Sequence, residues 1–219
     1  MIDLVKMENT VTVIHGFKGD GKTTACTLFL ALEKLRNPHR KVYANYKLFF
    51  ESSFLNGRDM IENREIFANA IIGLDEIHEY ADSRDSGTPQ NKRVCDFFLQ
   101  SRHFGALIYG TDQYKDQYDK RIRRIVDYDI VTTNLFIDSD QDGDDDIFRI
   151  TILNRRRPDL RPVTRDLYMK PVFDLFDSSD RINPFLYTKE QEKAWRYKIA
   201  GIPQKTRKKI QKEAPRTVA

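Results

Sequence analysis

From residue 11 to residue 133, short apolar runs alternate with stretches in which apolar residues recur every three or four positions. Residues 11–15 (VTVIH) form a β-branched run that stops at Gly16. Residues 22–35 then carry the helical period up to the Asn37-Pro38 break. The pattern predicts strand, glycine loop, helix. A second strand is expected over 41–46 (KVYANY) and a third, apolar on both faces, over 71–74, closing on Asp75 and Glu76, with a helical piece near 59–69 between them. A polar loop over 82–91 leads into an amphipathic helix over 93–102 and a strand over 106–111. An Arg-rich helix over 116–126 and a strand over 128–133 follow. Strands that are near-continuous apolar runs, separated by helices, predict a mostly parallel sheet flanked by helices on both faces, an α/β fold without internal repeats.

Beyond residue 135 the pattern changes. Residues 135–138, an acidic turn and residues 147–153 predict a β-hairpin appended to the α/β core, and from Asn154 the chain is less regular and richer in Arg, Pro and aromatic residues. A helix over 189–197 and a loose basic tail over 203–219 complete the reading. It divides the chain into an α/β domain over 1–180, with its core over 9–135 and the hairpin over 135–153, and a basic C-terminal extension over 181–219.

The 219 residues are 40% hydrophobic and 32% charged, which excludes disordered and collagen-like chains and is ample for one core. Two cysteines, Cys26 and Cys95, make no disulfide framework, and there is no secretory or membrane-spanning apolar run, so an intracellular protein without its own membrane span is expected. The net charge of +4 is uneven. Residues 181–219 hold 11 Lys or Arg against 3 Asp or Glu, a net +8, whereas residues 1–180 hold 26 against 30, a net −4.

The chemistry begins at Gly16-Phe17-Lys18-Gly19-Asp20-Gly21-Lys22-Thr23, which matches GxxxxGK[ST] between a predicted strand and a predicted helix, with Thr24 next in the first turn. Glycines let backbone N–H groups turn inward around phosphate oxygens. Lys22 offers an ammonium to the β and γ phosphates, Thr23 offers a hydroxyl to Mg²⁺, and the helix N-terminus adds partial positive charge. Lys18 lies four residues before Lys22, one short of the signature-lysine spacing of partition-type ATPases, and is read as a solvated loop residue or a secondary phosphate contact.

Ile71-Ile72-Gly73-Leu74-Asp75-Glu76 places two carboxylates at the C-terminal end of a buried strand, where open α/β sheets bind ligand. Asp75 suits Mg²⁺ held through water, and Glu76 suits the base that orients or deprotonates an attacking water. The pair favours an enzyme that hydrolyses ATP and uses the energy mechanically, over a kinase or small GTPase. The fourth strand ends in Thr111-Asp112-Gln113, projecting a hydroxyl and an amide at the same edge, which suits either γ-phosphate sensing or a polar strand exit with an Asx turn.

GFKGDGKTT, KVYANYKL, IIGLDEIHEY and SRHFGALIYGTDQ together resemble the FtsK/HerA superfamily of ring ATPases over residues 9–135. The likeness is greatest to the branch holding archaeal-virus genome-packaging ATPases and the ATPase domain of zonula occludens toxin-like phage assembly proteins. The resemblance implies a RecA-like P-loop NTPase core with a catalytic glutamate, ATP and Mg²⁺ as cofactors, a homo-oligomeric ring of five or six subunits, and translocation of double-stranded DNA. It also implies roles: Lys22 and Thr23 for nucleotide and Mg²⁺, Asp75 and Glu76 as metal and catalytic carboxylates, Gln113 as sensor. Asp112 departs from the family's adjacent Thr-Gln pair. The leading expectation is the genome-packaging motor of an archaeal virus, in the host cytoplasm or associated with the virion, with a capsid or portal as partner. A toxin-like phage assembly ATPase and a nucleotide-dependent DNA-binding or partition module are the rivals.

Such rings insert an arginine from a neighbouring subunit. Arg102 is the first candidate, with Arg123, Arg124 and Arg84 behind it. The run from Asp138 to Asp146 imitates the start of a calcium loop but carries Arg149 where a bidentate Glu belongs, so a solvated turn is expected. His78 and His103 share no zinc spacing with Cys26 and Cys95 and are read as structural or surface residues. Lys205, Arg207, Lys208, Lys209, Lys212 and Arg216 make a tail suited to DNA phosphates, or else to solubility or capsid docking.

Overall fold

A computed structural model describes residues 10–135 and 147–177. The acidic turn, the expected helix over 189–197 and the basic extension lie outside the described residues.

Four strands build the centre. β1 (Val11–His15), β5 (Ile71–Leu74), β6 (Leu107–Asp112) and β7 (Tyr128–Asn134) are joined on one side by β2 (Val42–Ala44) and β4 (Ser53–Phe54). On the other side stand β8 (Ile147–Asn154) and β9 (Val163–Tyr168), giving an eight-stranded sheet in the order β4-β2-β5-β6-β1-β7-β8-β9. All pairings from β4 to β7 are parallel, and the last two are antiparallel. Because successive strand residues face opposite ways, β1, β5 and β6 each feed two cores. Val13, Ile72 and Ile108 pack with Val94, Phe97 and Phe98 of α3 (Pro89–Gln100) and Ile122 of α4 (Lys120–Ile125). Their neighbours Ile14, Ile71 and Leu107 pack with Ala25, Cys26, Phe29 and Leu30 of α1 (Lys22–Arg36). Each such side chain contributes about 1.5–3 kcal/mol of burial. Both thiols are buried and unbridged, and burial pushes Cys26 up to about 12, so neither is a reactive centre.

Local chemistry moved several boundaries. α3 starts at Pro89, inside the expected polar loop, because the Thr88 hydroxyl accepts the Asn91 N–H (3.2 Å) and proline suits the first helical position. α4 is confined to six residues, its start fixed by the Asp119 carboxylate accepting the Arg121 N–H. The helical piece near 59–69 divides into α2 (Gly57–Glu62) and a 3₁₀ turn, Arg64–Phe67.

Of the expected appended hairpin, most of the first arm, residues 136–138, lies outside the described residues, and the second arm is β8. β8 pairs antiparallel with β7, from Tyr128↔Asn154 to Asn134↔Phe148, and β7 pairs parallel with β1 on its other side. β8 therefore continues the central sheet instead of hanging from it. β9 then adds a further rung set in a stretch read as irregular, held by paired Thr151 and Thr164 hydroxyls and a bidentate Arg149–Asp166 ion pair on its exposed face.

After β9 the chain folds back as a strap. α5 (Lys170–Phe173) packs on α1, with Met169 and Val172 buried in the α1-side core, and β10 (Phe176–Asp177) pairs antiparallel with β3 (Lys47–Leu48), just beyond β2. The strap thus runs over α1 from the β9 side of the sheet to the β2 side.

Candidate functional site

The glycine loop joins β1, at the centre of the sheet, to α1. Gly21 has φ +74°, and a Cβ there would lie 2.5 Å from the ring of Phe148, so both the backbone and the packing demand glycine. Asp20 braces the turn: its carboxylate accepts the Phe17 N–H (2.7 Å) and its own N–H donates to the Phe17 carbonyl (3.1 Å). Lys22 is buried and donates its ammonium to the same carbonyl at 3.1 Å, folded against its own loop. Thr24 is buried in the first turn, Lys18 and Gly19 are exposed at the tip, and Phe17 is 68% exposed.

Asp75 leaves the end of β5 fully buried, and three neighbours hold it. The hydroxyls of Thr23 (2.9 Å) and Thr111 (2.7 Å) both donate to Oδ1. The Asn45 side chain, one residue past β2, pairs with the Asp75 backbone in both directions at 2.8 Å. That amide supplies the next rung of the β2–β5 ladder and fixes where the carboxylate stands. Hard oxygen donors from Thr23 and Asp75 within 3 Å of one another suit Mg²⁺, which takes few protein oxygens and keeps water.

Glu76 adopts φ +57°, a left-handed conformation costing a bulky residue about 1–3 kcal/mol and typical of functional turns. The following turn is pressed onto the sheet by Ile77, which sits where a Cβ on Gly110 would be, 2.2 Å from Ile77 Cδ1. The Glu76 N–H donates to Thr111 Oγ1 at 3.0 Å. One threonine therefore joins the third member of the sheet's polar edge to both acidic residues.

Asp112 is fully buried and turned away from the loop: it accepts the N–H groups of His78 (3.2 Å) and Gln113 (2.9 Å). The His78 ring Nδ1 lies 3.3 Å from Asp112 and 3.6 Å from Glu76. Burial pushes the Asp112 carboxyl above its ordinary range, and His78 works against that rise. His78 was expected to be structural or superficial. It stands instead between two carboxylates of the site, because the turn after Glu76 brings position 78 back against the end of β6. These three are the one cluster of metal-ligating side chains among the described residues.

Lys18, Gly19, Gly21, Lys22, Thr23 and Thr24 come together with Glu76, Gln113 and Asn134 around one cavity of about 670 Å³. Thr111, tied to Asp75, faces the acidic pair, and Gln113 faces the cavity. Gly16 stands at the loop entrance against Thr132 of β7.

Arg102 is not brought to this cavity. It follows α3, at the end of the molecule where β6 and β7 begin, and is ion-paired with buried Asp127, which also holds Arg156 and the Val11 N–H. Arg84 is exposed in the loop after β5, paired with Asp82, while Arg123 and Arg124 lie on the last turn of α4. Sequence reasoning missed Asn45, His78 and the aromatic residues Phe148, Phe173 and Phe176, which wall the cavity on the strap side. Only His78 carried a signal, its position three residues after Asp75.

A parallel sheet whose central strand feeds a GxxxxGKT loop, with the acidic strand two places away and a polar-ended strand between them, is the fold of a P-loop NTPase. No family profile matches the sequence, and no curated protein matches it. Solved structures do. The N-terminal domain of zonular occludens toxin from Neisseria meningitidis aligns with a TM-score of 0.57 at 17% identity, covering 78% of this chain and all of that one. The genome packaging NTPase B204 from Sulfolobus turreted icosahedral virus 2, in complex with sulfate, aligns with a TM-score of 0.50 at 11% identity, covering 71% of this chain and 95% of that one. No helix among the described residues is long and apolar enough to cross a membrane.

Proposed function

We propose that this chain hydrolyses ATP and uses the energy to move double-stranded DNA, as a genome-packaging motor of the FtsK/HerA type. The observation that carries the reading is the single hydrogen-bonded network from Thr23 of the phosphate loop through Asp75 to Thr111 and the Glu76 backbone. In it the nucleotide loop, the acidic strand and the sensor strand meet as one unit.

In this reading Lys22 leaves the Phe17 carbonyl for the β and γ phosphates, and Gln113 contacts the γ-phosphate from the end of β6. Glu76 takes the proton of the attacking water, which an in-line displacement requires. Thr23 and Asp75 would hold Mg²⁺, Asp75 through water; the ion neutralises charge on the phosphates. A ring of five or six copies, an arginine supplied in trans, a capsid or portal partner and a host-cytoplasmic or virion-associated location belong to the same proposal. So does phosphate contact by the basic extension.

The decisive experiment measures ATPase activity with and without double-stranded DNA, together with the particle mass in a non-hydrolysable analogue. DNA stimulation with nucleotide-dependent assembly supports the motor. ATPase activity indifferent to DNA favours the second reading, a phage assembly ATPase, for which the higher TM-score to the zonular occludens toxin domain speaks. Absence of both leaves a nucleotide-dependent binding module. Removing residues 203–219 is expected to weaken DNA binding and flatten its salt dependence.

A further inference from the structure

The cavity has two chemically different ends. Around Lys22, Thr23, Glu76 and Gln113 it is charged and polar; on the strap side its wall is three phenylalanine rings, Phe148 of β8, Phe173 of α5 and Phe176 of β10. The rings are set separately. Phe148 is buried against Gly21, at the first turn of α1. Phe173 meets Phe148 edge to face, with centroids 6.3 Å apart and planes at 85°. Phe176 is braced the same way on Tyr46, at 6.2 Å and 82°, and the Tyr46 hydroxyl is hydrogen-bonded to Thr27 of α1. Phe173 and Phe176 are only half-buried, so each keeps surface for a further contact after its neighbour is counted.

Three rings beside a phosphate loop are more apolar surface than a triphosphate uses. A triphosphate fills the polar end, and what extends from it into the same cavity is a sugar and a flat base. The aromatic end has the chemistry for that base: π faces and ring edges, held by braced side chains that lose little freedom on contact.

We propose that Phe148, Phe173 and Phe176 form the nucleobase site of this chain, so that the strap supplies the base-binding half of the pocket and the glycine loop the phosphate-binding half. This rests on the reading of the loop as a nucleoside triphosphate site. Phe148 acts mainly by holding Phe173 and closing against Gly21; Phe173 and Phe176 make the contact with the base.

The test compares two ligands, ATP and inorganic tripolyphosphate, both with Mg²⁺, by calorimetric titration of the full chain. The wild-type chain is expected to bind ATP at least tenfold more tightly than tripolyphosphate. Phe173→Ala and Phe176→Ala are each expected to weaken ATP roughly tenfold, as loss of a base-stacking ring does, and to leave tripolyphosphate unchanged. Phe173→Tyr and Phe176→Tyr, which keep the ring, are expected to restore ATP binding. The base site is overturned if the alanine variants bind ATP like wild type, or if they lose both ligands equally, which would make the rings supports of the strap only. Failure of the underlying reading looks different: wild-type chain that binds neither ligand, or Lys22→Ala that binds both normally, removes the phosphate site itself and the base site with it.

Discussion

Thr111 and Asp75 are joined by a 2.7 Å hydrogen bond, and the same Thr111 hydroxyl accepts the N–H of Glu76. One oxygen thus sets the position of a buried carboxylate and the backbone of its acidic neighbour. Thr111→Val keeps the shape and deletes both bonds. Asp75 keeps the Thr23 hydroxyl, and loss of the Thr111 acceptor for the buried Glu76 N–H costs about 1–3 kcal/mol. Turnover of ATP is expected to fall roughly 10- to 100-fold, with ATP affinity changed by no more than a few-fold; steady-state kcat beside equilibrium binding separates the two.

Lys22 and Glu76 lie in one cavity with different tasks. Lys22→Ala removes the ammonium and is expected to weaken ATP binding roughly a hundredfold or more; retained affinity would refute the loop's role. Glu76→Gln keeps size and hydrogen bonding but not basicity, so ATP is expected to bind normally and not turn over, read by single-turnover phosphate release.

Gly110→Ala places a methyl group where Ile77 Cδ1 now sits. Ile77 is fully buried, so the turn carrying Glu76 must lift. We expect a loss of about 1–3 kcal/mol in stability, measured by denaturant unfolding, and reduced turnover at unchanged ATP affinity, because the displaced segment begins one residue after Glu76, the proposed base.

Asp129 of β7 reports on the sheet rather than the chemistry. Burial pushes its carboxyl up, but His15 and Lys115 outweigh that and bring it down to about 2. A folded-state value below the unfolded one, near 3.9, stabilises the fold above about pH 4, and that contribution vanishes as pH falls toward 2. Asp129→Asn is therefore expected to cost on the order of 1 kcal/mol at neutral pH. The gap from wild type should close between about pH 4 and pH 2, followed by unfolding midpoints across that range.

The parts legible in the sequence are those where one stretch of chain decides its own fate. Residues 11–15, 71–74 and 107–112 are buried on both faces, and a run of β-branched and aliphatic residues says so without reference to partners. The glycine loop and the Asp75-Glu76 exit were legible for the same reason: their chemistry is contiguous. What escaped was chemistry assembled across the chain. β9 reads Val-Thr-Arg-Asp-Leu-Tyr, mostly exposed and paired on one side only, so its strand character comes from β8. Phe148, Phe173 and Phe176 are ordinary aromatic residues until β8 and the strap bring them to the cavity of the glycine loop. Asn45 sits in a predicted strand as an unremarkable polar residue, and its task depends on a backbone 30 positions away. The Arg102–Asp127 ion pair likewise joins residues 25 positions apart.

The two borders of the sheet differ in form and agree in effect. One ends in β4, a strand of two residues; the other in β9, which carries Thr164, Arg165 and Asp166 exposed. Neither offers another chain a long apolar strand to copy. Among the described residues, then, both borders disfavour pairing between copies by extension of the sheet. A ring of the proposed kind would make its contacts through side chains on loops and helices, which can slide and re-form as main-chain ladders do not.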